Sequence, residues 1–98
     1  MVELEVDVSQ IDTALFLGIA RKIDDLCISS GLSITMKDTL SKYPGCVHWH
    51  TKRGRESGTL EITWWPARQR LWFSMQDGRK ADWVMKAARR LKRQMERR

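Results

Sequence analysis

Cys46, His48 and His50 stand at intervals of two in the run Cys46-Val47-His48-Trp49-His50. Side chains at that interval share one face of an extended strand. A thiolate and two imidazoles suit Zn²⁺, and Glu61 on a following strand is the fourth group that would complete a tetrahedron. Structural zinc sites, however, usually gather ligand pairs from two separate segments, and the chain holds no second Cys/His pair. The sequence is therefore read as holding no metal and no other cofactor. Cys46 becomes a small packed side chain, and the histidines are polar strand residues. A Cys46–His48 nucleophile and base is also disfavoured, because residues i and i+2 of a strand lie about 6.6 Å apart. Nucleophile elbows, phosphate-cradling glycine loops and His-Glu-x-x-His are absent from the chain. No catalytic residue is assigned, and no enzyme is expected.

The cations carry more information. The net charge is +6, and it is unevenly spread. Residues 1–50 hold four cations and seven acids, a balance of −3; residues 51–98 hold fourteen cations and five acids, a balance of +9. Such a split points to one side that meets a polyanion and another that avoids it. At 100° per residue, Lys86, Arg89, Arg90, Arg93 and Arg97 gather on one side of a C-terminal helix. Their row is about 16 Å long at 1.5 Å per residue. Successive phosphates of one DNA strand advance about 3.4 Å, so the row matches several of them. Arg53, Arg55, Arg68 and Arg70 stand in or beside two turns and would extend the surface. Trp65, Trp72 and His48 are the stacking candidates, since aromatic rings on an open sheet face hold bases.

Strands and helices must position these groups. Val2 to Val8 alternates apolar and acidic residues, which predicts a strand with one buried face and an acidic outer face suited to a sheet edge. Ser9-Gln10-Ile11-Asp12 has capping-box spacing and predicts a helix to about Ser29, stopped by Gly31. Its apolar face holds Leu15, Phe16, Ile19, Ala20, Ile23, Leu26 and Cys27. Leu32–Met36 reads as a short strand, and Lys37–Gly45 as a connection rich in turn formers. Cys46–Thr51, Thr59–Trp65 and Arg70–Gln76 alternate and predict a three-strand antiparallel meander. Trp49, Leu60, Ile62, Leu71 and Phe73 fall on its buried face; His48, Glu61, Trp72 and Ser74 fall on the face expected to be exposed. Asp77-Gly78 is a turn signal, and a second helix is predicted from about Arg79 to Glu96 with Val84, Ala87, Ala88, Leu91 and Met95 inward.

The expected fold is a single α+β domain over residues 1–98: a two-layer sandwich, mainly antiparallel, with both helices on one face, in the order β-α-β-β-β-β-α. In element order alone, the helix, meander and basic helix resemble the double-stranded-RNA-binding fold. The chain lacks that family's lysine-rich helix-start motif, and Val2 to Val8 adds a strand, so no family role is carried over. Two cysteines make no disulfide framework, no signal peptide is visible, and no stretch approaches the ~20 apolar residues of a membrane span. A cytoplasmic protein with no membrane partner is expected. The leading function is binding of DNA or RNA without catalysis. The alternative is a protein-interaction or homodimerisation module that uses the Trp65/Trp72 face.

Overall fold

The computed structural model describes residues 2–11, 18–75 and 82–96. Five strands form one sheet: β1 (Val2–Val6), β2 (Ser33–Asp38), β3 (Val47–Lys52), β4 (Leu60–Trp65) and β5 (Arg70–Met75). Their order is β1-β5-β4-β3-β2, with every neighbour antiparallel. Two helices, α1 (Ile19–Ser29) and α2 (Asp82–Met95), lie on one face. This is the α+β architecture and element order that the sequence predicts, with β1 at an edge.

Period-two alternation accounts for the inner face. One row of paired residues runs across the whole sheet: Leu4, Phe73, Ile62, Trp49 and Lys37. Trp49, Leu60, Ile62, Leu71 and Phe73 are all buried. Full burial of a side chain of this size contributes roughly 1.5–3 kcal/mol. Ile23, Leu26 and Cys27 of α1 meet Leu91 and Met95 of α2 over Ile62 and Phe73. The helical period of 3.6 brings Ile19, Ile23 and Cys27 to one side of α1, and all three are buried. At the margin of this layer, the Trp49 indole N–H donates to Asp24 Oδ1 at 2.8 Å, and Lys37 Nζ pairs with Asp24 Oδ2 at 2.7 Å.

Gly31 ends α1 as expected. Its φ is +78°, its N–H donates to the Ile28 carbonyl, and the Leu32 N–H donates to the Cys27 carbonyl. These two bonds form a Schellman cap, which needs a left-handed residue at that position. The start of the helix differs from expectation. Val8–Gln10 is a short 3₁₀ turn capped by Asp7, whose carboxylate accepts from the Ser9 N–H at 3.1 Å. At Ile11 the backbone is extended (φ −92°, ψ 135°), so Ser9 does not cap a continuous helix. Leu15, Phe16 and Leu17 lie outside the described residues, as do Gln76 and the Asp77-Gly78 turn.

The outer face departs further from the sequence reading. His48, Trp72 and Ser74 were expected at the surface, but they are 5%, 3% and 4% exposed. Part of the cause is the connection between β2 and β3, residues 39–46, which folds back over the sheet. Tyr43 stands 5.0 Å from the Trp65 ring and 5.1 Å from the Trp72 ring, centroid to centroid. The Trp65 indole N–H donates to the Pro44 carbonyl at 3.0 Å, and the Leu40 N–H donates to Cys46 Sγ at 3.3 Å. From the other side, the Arg70 guanidinium sits 4.4 Å from the Trp72 ring centre and pairs with Glu5. Ser74 has a short side chain between its neighbours Glu3 and Glu61. His48 is enclosed by Thr63, His50 and Glu61.

Candidate functional site

Two groups of polar residues stand on opposite sides of the sheet. The first is the outward side of α2. Apolar residues Val84, Ala88, Leu91 and Met95 point to the sheet, joined by Trp83. Sequence reasoning missed Trp83, whose indole N–H donates to the Ser57 carbonyl at 2.7 Å. That bond ties the first turn of α2 to the β3–β4 turn, where Arg53 and Arg55 are exposed. Lys86, Arg89, Arg90 and Arg93 are exposed too, and among the described residues no carboxylate pairs with any of the four. Two acids of this segment lie near the row: Asp82, one turn before Lys86, forms no ion pair with it, and Glu96 accepts from Lys92 Nζ and, at 2.7 Å, from the Asp7 N–H. Arg97 lies outside the described residues.

The other expected contact residues divide by location. Arg53 pairs with Glu56 at 3.3 Å in the turn. Arg68 and Arg70 belong to the β4–β5 turn and the start of β5, at the opposite end of β4. Arg68 lies 5.8 Å from the Trp65 ring centre, and Arg70 covers Trp72. Thus α2 and the β3–β4 turn are joined, whereas Arg68, Arg70, Trp65, Trp72 and His48 belong to the outer face. Among the described residues that face offers no open stacking platform: Trp72 and His48 are buried, and Trp65 is half-buried beneath Tyr43. The exposed Trp65/Trp72 pair expected for a protein or homodimer interface is absent for the same reason.

The second group is on β3 and β4. Pairing sets two adjacent rows on the outer face, Ser74–Glu61–His50–Met36 and Trp72–Thr63–His48–Asp38. His50 faces Glu61 and His48 faces Thr63, so three donor groups converge. His48 Nε2 is 3.1 Å from His50 Nε2 and 3.2 Å from Glu61 Oε1, and His50 Nε2 is 3.4 Å from Glu61 Oε1. His48 Nδ1 and the Thr63 hydroxyl form a 2.8 Å hydrogen bond. Burial lowers the pKa of His48 below its ordinary value, against the opposing pull of the Glu61 charge, and so favours neutral imidazole. Cys46 does not join them. It precedes β3, is buried, and packs its Sγ against Leu40 N–H and the Thr39 hydroxyl. Strand period alone puts Glu61 and Thr63 on the face of the histidines, but the sequence reading joins only Glu61 to them. The register of β3 against β4 is what sets Thr63 opposite His48.

No helix among the described residues is long and apolar enough to cross a membrane. No protein-family model, curated protein or solved structure matches the chain.

Proposed function

We propose that the protein binds nucleic acid without catalysis, holding phosphates along the outer side of α2. The observation that carries this reading is the row Lys86, Arg89, Arg90 and Arg93, exposed and without a carboxylate partner among the described residues. Four cations within about two helical turns repel one another and favour an anion that spans the row. From Lys86 to Arg93 the axial rise is about 10 Å, close to three phosphate steps of one strand. Arg53 and Arg55 extend the row at its N-terminal end through the bond that ties Trp83 to Ser57.

The reading favours a duplex over a single strand, because stacking on Trp72 would require displacing Tyr43 and Arg70. Trp65, Trp72, His48, Arg68 and Arg70 therefore take no part in the proposed contact. A reducing compartment such as the cytoplasm fits two buried, unpaired thiols, Cys27 and Cys46. The test is fluorescence anisotropy with labelled duplex DNA and duplex RNA, comparing the parent with R89Q/R90Q/R93Q. The parent should bind, and the folded variant should lose affinity for all sequences alike. Failure of the parent to bind either duplex below about 100 μM at moderate salt, the weak end of ordinary non-specific binding, overturns the reading.

A further inference from the structure

We propose that His48, His50 and Glu61 form a three-ligand site for a divalent transition ion, with Zn²⁺ as the best match. The site is on the face opposite the cationic row and is independent of nucleic-acid binding.

The donor triangle carries the argument. Its edges are 3.1, 3.2 and 3.4 Å. Zinc binds imidazole nitrogen and carboxylate oxygen at about 2.0–2.2 Å, so a regular tetrahedron has edges of about 3.3–3.6 Å. A point about 2.05 Å from all three atoms lies about 0.8 Å out of their plane, against about 0.7 Å in the regular figure. The three atoms thus stand close to one face of a zinc tetrahedron before any ion is added.

Electrostatics point the same way. Two Nε2 atoms and a carboxylate oxygen bring lone pairs to one place, and such a convergence needs protons or a cation between the atoms. In the metal-bound form, His48 Nδ1–H donates to the Thr63 hydroxyl at the observed 2.8 Å and leaves Nε2 free to ligate. Thr63 is itself buried, so this partner is held in place. The fourth position would be taken by water. It can be reached from the side of His50, whose side chain is 36% exposed. Glu61 supplies the third ligand from the neighbouring strand; the chain holds no second Cys/His pair, so the donor distances and not a sequence motif carry the site.

Competing donors separate the ion classes. Ca²⁺ and Mg²⁺ take oxygen ligands, and a site with two imidazoles and one carboxylate selects against them. Cu²⁺ binds N/O sites more tightly than Zn²⁺ in general, so geometry must supply the preference for a tetrahedral ion.

The experiment begins with protein stripped by a chelator and exchanged into metal-free buffer at pH 7.5. Titration with ZnCl₂ alone, followed by calorimetry, should show one equivalent bound, and Co²⁺ should give the intense visible absorption of four-coordinate cobalt. H50A and E61Q should each weaken Zn²⁺ binding at least tenfold. Both positions are partly exposed, so the variants should fold, with circular dichroism as the check. T63V should weaken binding about 10–100-fold, and T63S should restore it. H48A alters a buried position and is not needed for the decision. No stoichiometric uptake at 100 μM Zn²⁺ would overturn the proposal and leave a cluster that shares protons. Uptake undiminished in both H50A and E61Q would also overturn it, and would move the ion to Cys27, Cys46 or other groups.

Discussion

Replacing Arg89, Arg90 and Arg93 with Gln removes three of the four exposed cations described on α2. The size of the effect follows from counterion release. Each phosphate neutralised on a duplex steepens the log–log dependence of affinity on salt by about 0.9, so three contacts contribute about 2.7. Between 50 and 200 mM salt, a fourfold range, the parent should therefore lose roughly 40-fold more affinity than the variant. The fold should survive: none of the three is buried or ion-paired among the described residues, and Gln is nearly as good a helix former as Arg. Loss of Arg93 from the last turn costs about 0.3–1 kcal/mol of favourable interaction with the helix dipole, a small drop in Tm. Anisotropy across a salt series on labelled duplex gives both slopes. A control variant, R21Q/K22Q/K42Q, removes the same charge from elsewhere in the chain and should leave the slope nearly unchanged. If the two triple variants shallow the slope equally, net charge rather than the α2 row is responsible, and the reasoning fails.

Trp72→Ala should act on stability and not on binding. Trp72 is buried under Tyr43 and Arg70, so the change should cost about 3–5 kcal/mol and lower Tm by more than about 10 °C, as a melting curve will show. If W72A melts as the parent does but loses affinity for single strands, Trp72 is accessible after all. Asp24→Ala strips the buried Trp49 indole of its acceptor and should cost about 1–3 kcal/mol in denaturant unfolding, while Asp24→Asn should recover much of this; equal losses would contradict the hydrogen-bond account. The Cys27 thiol is pushed up to about 11, first by burial and then by the Asp24 charge. Its folded pKa exceeds the unfolded value of 9.0, so this contribution is present below pH 9 and is lost as pH rises from 9 through 11. At pH 8, peptide mapping after iodoacetamide treatment should therefore find Cys27 unmodified in the folded protein and modified in urea, and equal labelling in both would refute its burial.

The inner face was legible because its information is local. Trp49, Leu60, Ile62, Leu71 and Phe73 occupy alternate positions in three runs, and a strand must turn alternate side chains to the same side. Gly31 was legible as a helix stop for a similar reason, since a left-handed cap favours glycine wherever the helix lies. The extent of the first helix was less so, because Asp7 rather than Ser9 caps the turn that precedes it. What covers the outer face was decided by tertiary structure. Period two shows that Trp72 and Trp65 share a side, but Tyr43 reaches them from a connection that reads only as turn formers. The same limit holds for α2. Its cations form a row by helical period, yet Glu96 is taken up partly by the Asp7 N–H, 89 residues away in the chain. At the histidine cluster, local spacing put His48 and His50 on one face and also included Cys46, which falls just before the strand. Register across the β3–β4 turn set Glu61 opposite His50 and Thr63 opposite His48. Local spacing determines which side chains share a face; only pairing between strands and the rotamers it permits bring three donor atoms within bonding reach of one ion.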